Sequence, residues 1–503
     1  MTFATSRAGE ATLKVSFHDE IADTSQAGLT REMFAADPER PTLSPFDRMS
    51  IRRYEVALTH EIALGESTTL RTLAYAYTTT RLWRNQTYVR SAAPGVQYSR
   101  VVGDPRIPGG ALFFEDATSI SDRTFDVAAI EPRLEQRLVT GPLAHRVVVG
   151  ARFFGETGER AARRGESRTS YAGALESLET ARTYAFAAYL EDEIAVRDYL
   201  LVSPGVRYEY ATQRRHIERA FVEGAPRDVA IVGDSDVSEV MPGIGLVLGR
   251  RHTHAFAGVH VGFAPPRLTS AIGADGIDEQ LDAERSVNWE VGARIGPSPW
   301  LRVEGTGFLS RFDNQIIPTP GGDAGRLELQ NAGETRHSGA EIGARLLVGR
   351  ALRLPLGIDL SGNYTVSRAV FAAGDYNGNT LPYAPRHIAS GVLDVTHALG
   401  LGGQVAFSYV GDQFSDEANT VQEDAGGRVG VLPEHVTLDL AARYRHARSG
   451  LGATVSVKNL LDDIYVQGRR PDGIFPGGYR QIYFGLRWDW VMEASPDDAT
   501  AAR

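Results

Sequence analysis

Hydrophobic and polar positions alternate with period two over long stretches of this chain, the pattern of a strand with one apolar face. In 480–490, Ile482, Phe484, Leu486, Trp488 and Trp490 share one face, opposite Tyr483, Gly485, Arg487 and Asp489. In 435–445, Val436, Leu438, Leu440, Ala442 and Tyr444 oppose Thr437, Asp439, Ala441, Arg443 and Arg445. In 300–310, Leu301, Val303, Gly305, Gly307 and Leu309 oppose Arg302, Glu304 and Thr306. Strands of soluble sandwiches average about 5–6 residues. Many segments here run to ~10 or more, the length that crosses a bilayer at a tilt.

The pattern predicts an all-β chain of about eighteen strands: 11–18, 50–63, 67–83, 123–138, 144–155, 182–196, 198–212, 236–249, 253–263, 285–296, 299–313, 335–349, 351–368, 386–399, 401–415, 433–446, 449–459 and 480–490. Long links at 19–49, 84–122, 156–181, 213–235, 264–284, 314–334, 369–385, 416–432 and 460–479 interleave with short ones at 64–66, 139–143, 197, 250–252, 297–298, 350, 400 and 447–448. Turn formers occupy several short links: Gly65, Gly141-Pro142, Pro297-Ser298-Pro299 and Gly400. Long loops at one end and tight turns at the other are the signature of an antiparallel up-and-down barrel in a membrane. In lipid no main-chain group can stay unpaired, so the sheet is expected to close on itself. Aromatic residues near strand ends (Trp83, Trp300, Tyr444, Trp488, Trp490) fit an interfacial girdle, or ordinary core packing.

Composition narrows the class. Hydrophobic residues make up 42% of 503, yet mean hydropathy is −0.22, and no apolar run approaches the ~20 residues of a spanning helix. Fifty-three glycines, 19 tyrosines and 20 phenylalanines suit a β-barrel. There is no cysteine, which excludes disulfides and thiolate metal sites. A net charge of −10 argues against a nucleic-acid partner. Met1 to Thr5 lack the basic and apolar regions of a signal peptide. The expectation is that a signal has been removed or that the true N-terminus lies upstream.

Several motifs carry a family resemblance. Lys458-Asn459-Leu460-Leu461-Asp462-Asp463-Ile464-Tyr465, then Arg469 to Gly477, then the strand Arg480 to Trp490, closely resemble the C-terminal hallmark of TonB-dependent outer-membrane receptors. Gly28-Leu29-Thr30 with Asp37-Pro38, and Arg81-Leu82-Trp83-Arg84-Asn85-Gln86, resemble the ferric-citrate-receptor branch. Leu190 to Ile194 with Ser203 to Glu209, Phe312 to Ile316 with Asn331 to Thr335 and Ser338 to Glu341, and Leu381 to His387 are similar to further barrel motifs, in the family's order. The resemblance implies a receptor for ferric siderophores in the outer membrane of a Gram-negative bacterium, monomeric, without a resident cofactor, and driven by the TonB complex through an N-terminal plug. No plug motif is read here. The family barrel has 22 strands against about eighteen counted, so residues 1–490 read as its wall without the plug and first four strands, and 491–503 as an acidic disordered tail. By parity, an even number of strands is missing.

Candidate chemistry is sparse, and no catalytic constellation stands out. Asp192 should point away from Glu191 and Glu193 on a strand, which leaves solvated acids rather than a carboxylate pair. His252, His254 and His260 share a strand face and are read as a metal site or as turn-proximal and lumenal histidines. Gly243-Ile244-Gly245 lacks the following helix of a nucleotide loop. Arginines at the outer strand ends are the useful signal, because a guanidinium binds carboxylates bidentately. The resemblance implies that Arg81, Arg84, Arg100, Arg106 and Arg267, with Gln86, line an external pocket for an anionic iron chelate. The plainer alternative is solvated loop residues or internal salt bridges. Arg163, Arg164 and Arg168 read as a solvated loop run. Two other functions stay open: a self-contained eighteen-strand diffusion channel, and a non-functional receptor fragment.

Overall fold

The computed structural model describes residues 2–6, 8–40, 42–250, 252–265, 272, 283–314, 316–320, 327–331, 333–469 and 472–488. Among them one sheet of 20 strands forms the whole wall. One strand, Arg100–Gly103, is a short ladder added to a loop hairpin. The other nineteen (20 − 1) are Thr2–Ser6, Gly9–Ala22, Arg48–Ala63, Thr68–Val89, Ala111–Thr140, Leu143–Gly165, Ala174–Arg197, Leu200–Val222, Ala225–Arg250, Thr253–Ala264, Glu284–Ser298, Leu301–Asp313, Thr335–Leu347, Leu356–Phe371, His387–His397, Leu401–Val410, His435–Arg445, Leu451–Lys458 and Gln481–Trp488. Each pairs antiparallel with the next in chain order. The expected up-and-down order and the alternation of link lengths are therefore present.

The two faces of the sheet differ as the alternation requires. One carries apolar side chains exposed in rows across strands, such as Val15, Phe17, Tyr54, Ile130, Val149 and Phe153. Aromatic rings meet across strand pairs on this face, with Phe17–Tyr54 and Phe153–Phe186 centroids both 5.1 Å apart. The other face carries a lattice of ion pairs: Arg53–Glu55 at 2.8 Å, Arg152–Glu131 at 3.0 Å, Arg146–Glu135 at 2.9 Å, Arg294–Glu304 at 2.6 Å and Arg443–Asp394 at 2.7 Å. Ile482, Phe484, Leu486 and Trp488 lie on the apolar face, as expected. Trp83 shares its strand parity with Tyr75 and Tyr77 of the polar face, so it does not belong to an outer girdle. Trp490 lies outside the described residues.

The structure corrects the expected boundaries at the loop end. Residues read as links at 84–122, 156–181 and 213–235 are largely strand: Ala111–Thr140 runs for 30 residues and Ala225–Arg250 for 26. The supposed link 213–235 is a hairpin closed by Glu223 and Gly224, both with positive φ (51° and 79°), the two-residue turn whose twist matches the strands. Beyond the apolar belt both faces carry charged side chains, as the neighbours Glu159 and Arg160 do, so hydrophobic alternation fades while main-chain pairing continues. A second correction is the helix Val348–Ala351, where one continuous pair of strands was expected around a link at 350.

The count also changes. Thr2–Ser6 adds a strand before the first one expected. Both Thr2–Ser6 and Gln481–Trp488 run toward the tight-turn end, and no pairing joins them among the described residues. Two edges that run the same way close antiparallel only through an odd number of further strands, not an even one. A self-contained eighteen-strand channel is therefore not what these residues form. Side chains on the last strand are the most open of the wall, with Phe484 80% and Leu486 94% exposed.

If the apolar face meets lipid, a charge there should cost energy according to depth. Val149→Arg, about half-way along the belt, should destabilise the bilayer-inserted protein by about 2–4 kcal/mol, and Thr157→Arg, same face but beyond the belt, by about 0–1 kcal/mol. Reversible denaturant unfolding from phospholipid vesicles measures both. Equal costs at the two depths would refute the assignment of this face.

Candidate functional site

The loop end holds two structures: a packed cap and a row of arginines. Four loops build the cap, from 23–47, 84–122, 411–434 and 459–480. Their apolar side chains form a small core around Leu29, Met33, Leu112, Phe114, Leu432 and Ile474. A short helix, Arg31–Ala36, delivers Met33 into it; Thr30 caps that helix by accepting the Met33 amide at 3.3 Å. The helix was not expected, since six residues are too few to show a 3.6 period.

The cap accounts for several of the expected ligand residues. Arg84 is 5% and Gln86 3% exposed. Arg84 donates to the Thr169 and Phe46 carbonyls at 2.9 and 2.8 Å and lies 3.7 Å over the Tyr171 ring. The Gln86 side chain donates to the Glu115 carbonyl at 2.8 Å, and its amide donates to Asp47 at 2.7 Å. Arg100 donates to the Leu43 carbonyl and stacks 4.6 Å from the Phe114 ring, and burial pulls its pKa down. Arg106 is exposed and bound to Asp104 at 2.7 Å; hydrogen bonds from Arg106 hold that carboxyl at about 2. Arg164 and Arg168, read as a solvated run, are tied to the same structure: Arg164 pairs with Glu115 at 2.6 Å and Arg168 lies 5.3 Å over Phe46. Arg267 lies outside the described residues.

Arg81 differs. On Thr68–Val89 the even positions Arg84 and Gln86 serve the cap, whereas Thr79, Arg81, Trp83 and Asn85 share the opposite, polar face. Each of these four has a buried polar atom with no hydrogen-bond partner: Thr79 Oγ1, Arg81 Nε, Trp83 Nε1 and Asn85 Oδ1. Strand register places Arg81 opposite Arg123, Arg123 opposite Arg160, and Arg160 opposite Glu179. Three cations thus stand side by side on adjacent strands, an arrangement that destabilises a sheet. Arg160 Nε also lacks a partner. Among the described residues, Glu179 is the carboxylate that pairs with the row; it binds Arg160 at 3.5 Å and Arg215 at 2.5 Å. Arg215 further donates to the Ile272 carbonyl at 2.6 Å. Four arginines meet one glutamate here, whereas elsewhere on this face Arg53–Glu55, Arg152–Glu131 and Arg294–Glu304 pair one to one.

Arg123, Arg160 and Arg215 were not among the expected residues. Arg123 was placed at the first residue of a strand, and Arg160 and Arg215 in loops, so the row was invisible. Of the other candidates, Asp192 and Glu193 do point apart: Asp192 binds His145 at 2.8 Å, while Glu193 faces Arg146 at 3.9 Å. His252 lies in the turn before the strand that carries His254 and His260. Among the described residues no three His, Asp or Glu side chains converge to hold a metal.

Comparison with known proteins agrees with this architecture. Residues 12–460 match the family described as TonB dependent receptor-like, beta-barrel. The fold is similar to the unliganded ferric citrate transporter FecA (TM-score 0.77, 21% identity, covering 96% of this chain and 68% of that one). It is also similar to the ferric yersiniabactin uptake receptor FyuA of Yersinia pestis (0.72, 16%, 96% and 68%) and the siderophore receptor PiuA of Acinetobacter baumannii (0.73, 15%, 96% and 72%).

The cap carries a pH prediction. Asp47 is buried, accepting from Ser44 Oγ at 2.5 Å and from the Gln86 amide. Burial raises its carboxyl above the ordinary 3.8, and the hydrogen bonds only partly oppose this. An acid with a raised folded pKa binds its proton more tightly on folding. Its contribution is full below the unfolded value and is lost as pH rises through the folded one. Asp47→Asn should therefore stabilise the cap at pH 7 relative to the parent, and the gap should close toward pH 4. Protease resistance of the loops across that range tests this; a gap that widens on acidification would contradict it.

Proposed function

Because this chain belongs to the TonB-dependent-receptor β-barrel family, we propose that it is the wall of an outer-membrane receptor that recognises an anionic ferric chelate, of the ferric-citrate kind, on its arginine row. The apolar face meets lipid and the ion-pair lattice lines the lumen. The observation that carries the reading is the Arg81–Arg123–Arg160 row, with its unpartnered buried donors. Like charges in register cost energy in the empty protein. A polycarboxylate chelate would neutralise them and accept from Arg81 Nε, Arg160 Nε and Trp83 Nε1, as guanidinium–carboxylate geometry favours. Recognition is the part of the transport cycle that wall and loops supply; energised passage by TonB works through a plug domain, and every described residue here belongs to wall, turn or loop.

Trp83 sits in the row and reports on it. Titration of the refolded protein with ferric citrate, followed by tryptophan fluorescence, should saturate. Arg123→Ala and Arg160→Ala should each weaken binding at least about tenfold, the equivalent of ~1.4 kcal/mol, within the range for one lost charge-assisted hydrogen bond. Arg106→Ala, in its local pair with Asp104, should leave the curve unchanged. An uncharged ferric trihydroxamate should bind weakly. Equal binding of the uncharged chelate, or indifference to both row substitutions, would rule out the anion-recognition reading.

A further inference from the structure

Two motifs from opposite ends of the chain meet in the cap. Leu29 and Ile474 form an isolated antiparallel bridge, each amide donating to the other's carbonyl at 2.8 Å. The Gly28 amide donates to the Asp472 carbonyl at 2.8 Å. The Asp472 side chain, in turn, takes Arg90 at 2.6 Å and the Tyr88 hydroxyl at 2.5 Å, and the Arg90–Asp472 pair is nearly buried. Arg469, 3% exposed, reaches Glu423 at 2.8 Å and the Val431 carbonyl at 3.1 Å, which ties in the 411–434 loop. The backbones touch where side chains would not fit. A Cβ on Gly28 would lie 2.5 Å from the Gly473 carbonyl carbon, and Gly473, at φ +107°, would lie 2.8 Å from Gly28 in the same way.

Where these loops come from gives the contact its meaning. Gly28 and Leu29 follow Gly9–Ala22, which neighbours the first edge strand; Asp472 to Ile474 precede Gln481–Trp488, the other edge. Between those edges the described wall has no main-chain ladder. We propose that the cap is a clasp: the 23–47 and 459–480 loops join through Leu29 and Ile474 and hold the strands Gly9–Ala22 and Gln481–Trp488 at a fixed separation at the loop end.

The absence of cysteine makes the test clean. First, Leu29→Cys with Ile474→Cys introduces the chain's only thiols. A hydrogen-bonded antiparallel pair has Cα atoms about 5.5 Å apart, within disulfide range. Mild oxidation of the refolded protein should consume both thiols within one chain. Second, spin labels at Val15→Cys and Phe484→Cys, both on the exposed apolar face near the two edges, report the separation. The parent cap should give one narrow distance distribution. Gly28→Val should at least double its width, and Asp472→Asn, which keeps the shape and removes the charge facing Arg90, should broaden it less; Arg106→Ala should not change it. Circular dichroism confirms that each variant retains its sheet, and Asp472→Asn serves if Gly28→Val does not fold. Thiols that stay free in the folded protein, or a distribution that none of the cap variants broadens, would overturn the clasp.

Discussion

The structure depends on one constraint: the main chain must find its hydrogen bonds within the sheet, as it would have to if, as we propose, the apolar face meets lipid. Antiparallel pairing of each strand with its chain neighbour meets it with the shortest connections. Strand alternation then gives every second side chain to one apolar face, on which Phe17, Tyr54 and Phe153 stand exposed, and every other to a polar face. There Arg and Glu satisfy one another across strands, as Arg294 and Glu304 do. Among the described residues the ladder ends at Thr2–Ser6 and Gln481–Trp488, and the loops near these two strands meet at Leu29 and Ile474.

That constraint also sets what can be read from residues alone. Where one face is apolar, the period-two signal is strong, and segments such as 253–263, 386–399 and 449–459 match observed strands closely. Beyond the belt both faces carry charged side chains. Asp228 and Asp234 then look like loop residues although they sit in one strand. Pairing there is held by the main chain and by Glu223-Gly224, a turn that carries no hydrophobic mark. The cap was equally hidden. Its core gathers Leu29, Phe114, Leu432 and Ile474 from four separate loops, and no local pattern announces contacts so distant in sequence.

The candidate site was half legible for the same reason. The proposed row is built of arginines near outer strand ends, as the expected site was, but strand parity decides which of them share its face. Arg81 and Arg84 are three residues apart and so lie on opposite faces: one joins the row, the other braces Phe46 and Thr169. Once the strands are known to continue past 122 and 156, register alone brings Arg123 and Arg160 beside Arg81. The missing information was strand length, not residue type.

The charge balance explains why such a row is useful in an acidic protein. The chain carries −10 overall, so at long range its field repels an anion. Salt confines that repulsion to about 8–10 Å, and capture must then be local. A single arginine paired with its own glutamate offers little, because the ligand has to displace an internal partner. Three arginines in register with one glutamate at the end are different. Each neighbour raises the cost of leaving the next unneutralised, on the order of 2 kcal/mol for unit charges ~7 Å apart at an effective dielectric of about 20. Water and counter-ions offset much of this in the empty state, which the row's place above the apolar belt allows. If the row binds a multivalent anion, as we propose, the repulsion among Arg81, Arg123 and Arg160 becomes a difference in favour of the occupied state.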